Sequence, residues 1–214
     1  KVWLPNLASS PAQATMHFMI TDRTGSNIVI EFVNGQMKIY DKTPGVLTNS
    51  PTYDWHLTNI RNYINLTNEA VGQRASTTLG DITNVSQGGG GIGLPGDYMS
   101  PSRFVRVTFL KNYSDKPANG QEAVTLTTHI LDTVDIPKGA VSSKDADGKI
   151  YSDTTQWVAI KDLSSNVWYF SDYDHRGTFV KINIDTLDKQ SKAFALPLDK
   201  IQYPVNDITT SLLK

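Results

Sequence analysis

Two positions in this sequence of 214 residues combine a chemically useful side chain with a setting that would fix it. The first is Asn49, in the run Gly45-Val46-Leu47-Thr48-Asn49-Ser50-Pro51-Thr52-Tyr53-Asp54-Trp55-His56-Leu57. Val46 and Leu47 read as a buried strand end, Ser50 as a helix cap and Pro51 as the first helical residue. Thr48 and Asn49 then fall at the junction, with side chains free to face a cleft, where an asparagine amide can donate to a substrate oxygen. The same residue types shape turns, and on this stretch alone the turn is the commoner reading. The second position is Arg103, in Ser100-Pro101-Ser102-Arg103-Phe104-Val105-Arg106-Val107-Thr108-Phe109-Leu110, with Ser100 read as the cap and Pro101 as the first helical residue. A cation in a helix's first turn opposes the positive end of the dipole, so a carboxylate or a substrate is expected to compensate it.

Other chemistry-bearing residues offer less. The histidines, His17, His56, His129 and His175, are far apart and form no metal-binding pair at helical spacing, so each reads as structural. Asp145-Ala146-Asp147-Gly148 resembles the start of a calcium loop, but Gln156 stands where a closing glutamate belongs, and an exposed turn is expected. The run Gly88 to Gly91, followed by Ile92-Gly93-Leu94-Pro95-Gly96-Asp97, lacks the Gly-Lys-Ser/Thr ending of a phosphate-binding loop. It suits tight turns or a close backbone approach. The chain has no cysteine, which excludes disulfides, zinc thiolates and a cysteine nucleophile among these residues.

The elements that must hold Asn49 and Arg103 follow from periodicity. Lys1 to Ala14 reads as a connection. Met16 to Thr21, Asn27 to Val33 and Gln36 to Tyr40 read as an antiparallel meander, with Asp22 to Gly25 as one turn and Asn34-Gly35 as a type I′ hairpin. A helix is predicted from Pro51 to about Ile64, with Tyr53, Leu57, Ile60 and Ile64 on its inner face. Asn65 to Gln87 is polar and poorly periodic. The helix opened by Ser100 carries Phe104, Val107 and Leu110 as a core stripe. Another begins at Asn119, with Glu122 completing a capping box, and carries Ala123, Leu126, Ile130 and Val134 to a stop before Pro137. Thr154 to Ile160, Val167 to Phe170 and Thr178 to Ile182 return to strands joined by hairpin loops. Strands, helices and strands again predict a layered α+β fold, with no internal repeat and no domain boundary.

Composition narrows the partners. Hydrophobic residues make up 39% of the chain and the net charge is −1, as in an ordinary globular domain. Lys and Arg are scattered and do not interleave with aromatics, which speaks against nucleic acid. No apolar run approaches the length of a membrane span.

Several of these blocks together carry a resemblance. Gly45 to Pro51 with Asn59-Ile60-Arg61-Asn62-Tyr63, then Gly93-Leu94-Pro95-Gly96-Asp97 and Ser102-Arg103-Phe104-Val105-Arg106, are similar in order and spacing to the choloylglycine hydrolase family, which includes bile salt hydrolases and penicillin V acylases. The His17 to Glu31 meander and the Thr154 to Phe170 hairpin also fit, so the likeness spans nearly the whole chain. It implies an N-terminal nucleophile hydrolase, an αββα four-layer sandwich cleaving linear amide C–N bonds without a cofactor or metal. In that family processing exposes an N-terminal cysteine, whose thiolate attacks the amide carbon while its own α-amino group moves the proton. By the same resemblance Asn49 supplies an oxyanion-hole donor and Arg103 supports the charges beside the nucleophile.

The missing cysteine is the departure from this pattern. The expectation is that residues 1–214 form the larger, C-terminal part of a single domain, whose N-terminal cysteine-bearing segment or subunit is a partner of this chain. The other expected partners are a small acyl-amide substrate and further copies in a homo-oligomer, with no nucleic acid and no membrane. The alternative is a homologue without the nucleophile that binds an acyl amide and does not cut it. The Trp55-His56-Leu57 and Asn59 to Tyr63 block looks closer to Gram-negative members, often exported, which points to a bacterial, periplasmic protein. Bile salt, penicillin V and acyl-homoserine lactone stay open as substrates.

Overall fold

The computed structural model describes residues 16–190 and 195–212, with five helices of α type and ten strands among them. The connection expected over Lys1 to Ala14 lies outside the described residues. Contacts within the chain divide it into two compact units, one ending at Asp115 and the other beginning at Lys116.

The first unit opens with the expected meander, β1 (His17–Thr21), β2 (Asn27–Val33) and β3 (Gln36–Tyr40), in the order β1-β2-β3. Asn34 and Gly35 both take positive φ, 51° and 75°, as a type I′ turn requires. Register places Met19, Val29 and Tyr40 across from one another on one face, with His17, Glu31 and Lys38 beside them. Helices cover this face: Val29, Val46, Tyr53 and Phe104 form one buried cluster, with Tyr40, Leu47, Leu57, Ile60 and Val107 packed around it. Alternation sends Phe18, Ile20, Ile28, Ile30, Phe32, Met37 and Ile39 to the opposite face, where Ile20, Met37 and Ile39 are open to solvent.

The helices start and stop differently from the sequence expectation. Helix α1 is Tyr53–Asn59 and passes into a 3-10 turn, Ile60–Tyr63. Ser50 is not its cap and Pro51 is not its first residue. Thr52 occupies the cap position but its hydroxyl bonds the Asp54 carboxylate rather than a helix amide, and the first-turn amide of Tyr53 donates to Glu31 Oε2 at 2.8 Å. The cap comes from a neighbouring strand, which no local motif records. Ile64, assigned to the inner face, lies beyond the α-helical turns and is 84% exposed. Helix α2 is Ser100–Tyr113, entered through Met99, so Ser100 is its first residue rather than its cap. Asp97 does the local capping work, accepting from the Met99 amide (2.9 Å) and the Ser102 hydroxyl (2.7 Å).

Between α1 and α2 lies a short hairpin, β4 (Gln73–Arg74) with β5 (Ile82–Thr83), in a stretch too polar to announce it. The glycine run closes this excursion against its own start. Gly91 N donates to Thr67 O at 2.7 Å, and a Cβ at Gly90 would sit 2.1 Å from Asn68 O.

The second unit sets α3 (Gly120–Asp132) beside the meander β8 (Trp157–Asp162), β9 (Val167–Asp172) and β10 (Val180–Asn183). The capping box is present as expected: Asn119 Oδ1 accepts from Glu122 N at 3.0 Å, and the Glu122 carboxylate accepts from Ala118 N and Asn119 Nδ2, both at 2.8 Å. Val124, Ile160 and Val167 are buried. An additional hairpin, β6 (Val141–Lys144) with β7 (Ile150–Asp153), turns through Asp145 to Gly148. Asp145 Oδ1 accepts there from the Asp147 and Lys149 amides, so this acidic motif is a turn.

Candidate active site

Asn49 and Arg103, separated by more than fifty positions, meet in the first unit. Arg103 Nη2 donates to Asn49 Oδ1 at 2.7 Å. A guanidinium has only donors, so the atom facing it must be the amide oxygen, and the Nδ2 group points away. Among the described residues nothing accepts from that Nδ2, and the Asn49 side chain is exposed. The result is a fixed amide presenting its donors outward.

Arg103 needs no carboxylate to sit in the first turn of α2. Its Nε donates to Tyr98 O at 3.0 Å, and carbonyl oxygens on two sides take the place of the expected anion. Burial, and then the neighbouring Arg106 charge, push its pKa below the ordinary arginine value. Arg106 is itself buried, 6% exposed, and its Nη1 donates to Pro95 O and Asp97 O at 2.5 and 3.1 Å. It ties the Gly93 to Asp97 loop to α2, and so holds the carbonyl-rich turn that Arg103 uses.

The corner carrying Asn49 is held from several directions. Ser100 Oγ lies 2.7 Å from Asn49 O and 2.9 Å from Thr48 Oγ1, and Thr48 Oγ1 donates to Ser100 O at 3.2 Å. His56 Nε2 lies 2.9 Å from Asn49 O. The segment leading to the corner is not the expected strand end: β3 stops at Tyr40 and Pro44 to Leu47 are irregular, although Val46 is buried as expected. Lys111 fixes this segment instead, its Nζ donating to Pro44 O at 2.7 Å, and burial lowers the lysine's pKa. Gly45 takes φ +68°, and a Cβ there would fall 2.2 Å from Lys111 Nζ, so only glycine lets the lysine in.

Sequence pattern points to Asn49 and Arg103 and reads the histidines as structural. His56 is 1% exposed and belongs to the corner. The signal was present: it follows Tyr53 by three and precedes Ile60 by four, placing an imidazole on an apolar helical face. His175 instead bonds Asp172 Oδ1 (2.7 Å) in the second unit, and His17 approaches Glu31 Oε1 (3.6 Å) in the first. Glu31, buried and spent on the start of α1, was likewise invisible in an apolar strand.

Residues 2–194 match the model of the linear amide C–N hydrolases, choloylglycine hydrolase family, and the chain belongs to that family. It is 36% identical over 181 residues to a bile salt hydrolase/transferase of Clostridium perfringens, covering 83% of this chain and 51% of that protein. A variant of conjugated bile acid hydrolase from the same organism superimposes with a TM-score of 0.67 at 32% identity, over 79% of this chain and 50% of that one. The likeness to the penicillin V acylase of Pectobacterium atrosepticum is shorter, 32% over 97 residues, 45% of this chain and 20% of that one. The fold is therefore α+β, of the N-terminal nucleophile hydrolase type whose full form is the αββα sandwich. The chain spans about half the length of the curated relatives it matches.

Proposed function

We propose that residues 1–214 are the larger, C-terminal part of a linear amide hydrolase, and that a segment outside them carries the cysteine nucleophile. The observation behind this reading is the Arg103–Asn49 pair, which leaves the Asn49 Nδ2 donors unspent and directed outward. In the proposed reaction the cysteine thiolate adds to the amide carbon and the carbonyl π electrons move to oxygen. Asn49 donates to that oxyanion. The α-amino group, having taken the thiol's proton, gives it as an ammonium to the amine that collapse expels, and water then hydrolyses the thioester to the acid and the free thiol. Because the charge develops only in the transition state, a preorganised donor aimed at it lowers the barrier without tightening substrate binding. Arg103 keeps the amide in its orientation and adds a positive field.

Conjugated bile acids are the proposed substrates, supported by the relatives that match over most of this chain. The test is turnover of glycocholate, penicillin V and an acyl-homoserine lactone by the protein carrying both this chain and its cysteine-bearing segment. Glycocholate is expected to be cleaved fastest. Asn49→Ala is expected to lower kcat by about 10²–10³-fold with the fold intact. A variant with wild-type turnover removes Asn49 from the oxyanion site, and binding without cleavage of any of these amides overturns the hydrolase reading.

A further inference from the structure

We propose that His56 is a positioning residue for the reaction, acting through the main chain of Asn49; this rests on the oxyanion role of Asn49 given above. Aiming a side-chain amide takes two constraints, one on the side chain and one on the backbone that bears it. Arg103 supplies the first by holding Oδ1. The second falls on the Asn49 carbonyl, which has the Ser100 hydroxyl at 2.7 Å and His56 Nε2 at 2.9 Å. A carbonyl only accepts, so Nε2 carries the hydrogen and donates. Helix α1 thus grips the backbone of Asn49 while α2 grips both that backbone and the side chain, and the exposed amide hangs between two anchored points.

The burial of His56 shows what the ring is for. It stacks on Phe104 with centroids 4.8 Å apart and planes 15° apart, and Trp55 meets it edge-on at 5.6 Å. Its Nδ1 is buried and, among the described residues, has no hydrogen-bond partner. An apolar ring would fill this slot without leaving a polar nitrogen desolvated, an omission that ordinarily destabilises a fold. Among the described residues the single bond the imidazole makes is the one to Asn49 O, and that bond is what an apolar replacement would lose.

Without it, the carbonyl of Asn49 is left to Ser100 alone and the peptide can rotate. A displacement of about 1 Å at a catalytic group is enough to slow a reaction by about 10²-fold. The experiment uses the complete protein with its cysteine-bearing segment and compares His56→Phe and His56→Gln, each alone and combined with Asn49→Ala. Kinetics on the cleaved amide are read alongside thermal unfolding. His56→Phe keeps the stack and removes the donor, and is expected to lower kcat by about 10–100-fold with KM within about threefold. His56→Gln returns an amide N–H near the position of Nε2 and is expected to recover most of that loss. In the Asn49→Ala background neither change lowers kcat further, because the group being positioned is gone.

A His56→Gln protein as slow as His56→Phe overturns the proposal. So does an equal further loss in the Asn49→Ala background, or wild-type kcat in folded His56→Phe. Should His56→Phe fail to fold, Ser100→Ala removes the other donor to the same carbonyl. A loss of about 3–10-fold in kcat that disappears with Asn49→Ala then supports the two-point grip, and unchanged kcat overturns it. If Asn49→Ala itself turns over normally, the oxyanion reading fails whatever His56 does. If Asn49→Ala is slow while His56→Phe is normal, only the role of His56 fails.

Discussion

Each unit of this chain sets an α-helix beside a three-stranded antiparallel meander, yet the two use polar side chains in opposite ways. In the second unit the buried positions among the described residues are Val124, Ile160, Val167 and Ser171, and its charges pair with one another, as where half-buried Arg176 bridges Asp132 and Asp135 at 3.0 and 2.9 Å. In the first, Glu31, His56 and Arg106 are buried among Val29, Tyr53, Phe104 and Val105. Taking such groups out of water is costly unless they are bonded. Each of them is spent on a particular backbone atom: Glu31 on Tyr53 N, His56 on Asn49 O, Arg106 on Pro95 O and Asp97 O. Those atoms start α1, fix the Asn49 corner and hold the loop entering α2. The difference teaches where to look for function, because desolvated polar groups mark the backbone that must not move.

Substitutions in each unit test that contrast. The largest effect is expected from Phe104→Ala, which removes a fully buried ring from beneath Tyr53 and His56. It should destabilise the protein by about 3–5 kcal/mol and take turnover with it, measured by denaturant unfolding and kinetics on the same samples. Retained kcat at temperatures where the variant is folded would separate the core from the site.

Gly45→Ala should come next. It forces a Cβ into a left-handed conformation and against Lys111 Nζ, at a cost of about 1–2 kcal/mol from the backbone alone. Because this segment leads directly to Asn49, kcat should fall together with the melting temperature. A melting shift with unchanged kcat would show that the corner tolerates movement in the segment before it.

The matching change in the second unit is Asn119→Ala. It deletes the cap of α3 and should lower stability by about 1 kcal/mol while leaving kcat unchanged. A kcat loss beyond the melting shift would end the division of labour between the two units.

The smallest effect belongs to pH. The Ser102 hydroxyl, and after it the Met99 amide, hold the Asp97 carboxyl below the ordinary aspartate value. A pKa lowered in the folded state means that the folded protein binds fewer protons. The stabilisation is therefore complete above about pH 4 and is lost as pH falls through the lowered value. Asp97→Asn should be slightly less stable than wild type at neutral pH, with the two curves converging in acid; parallel curves would show that this carboxylate's charge contributes nothing.

Much of this protein was written locally. Alternation and the Asn34-Gly35 turn set the first meander, the Asn119/Glu122 box set the start of α3, and the blocks around Asn49 and Arg103 carried the family likeness. These features depend on neighbours within a few positions, which is the range over which period, propensity and capping act. Others depended on distant chain. The start of α1 moved to Tyr53 because Glu31 caps it from β2, Ser100 left the cap to bond Asn49, and the cation of Arg103 found carbonyls where an anion was expected. The two-residue pairing of β4 with β5 likewise has no periodicity for a sequence to display. Which residues could do the chemistry, and the order of the elements bearing them, are local matters that residue types and spacing settle. Only the tertiary structure decided how Asn49 is held, because its orientation is the sum of hydrogen bonds from residues on two helices, and a hydrogen bond acts over about 3 Å in space, whatever the separation in sequence.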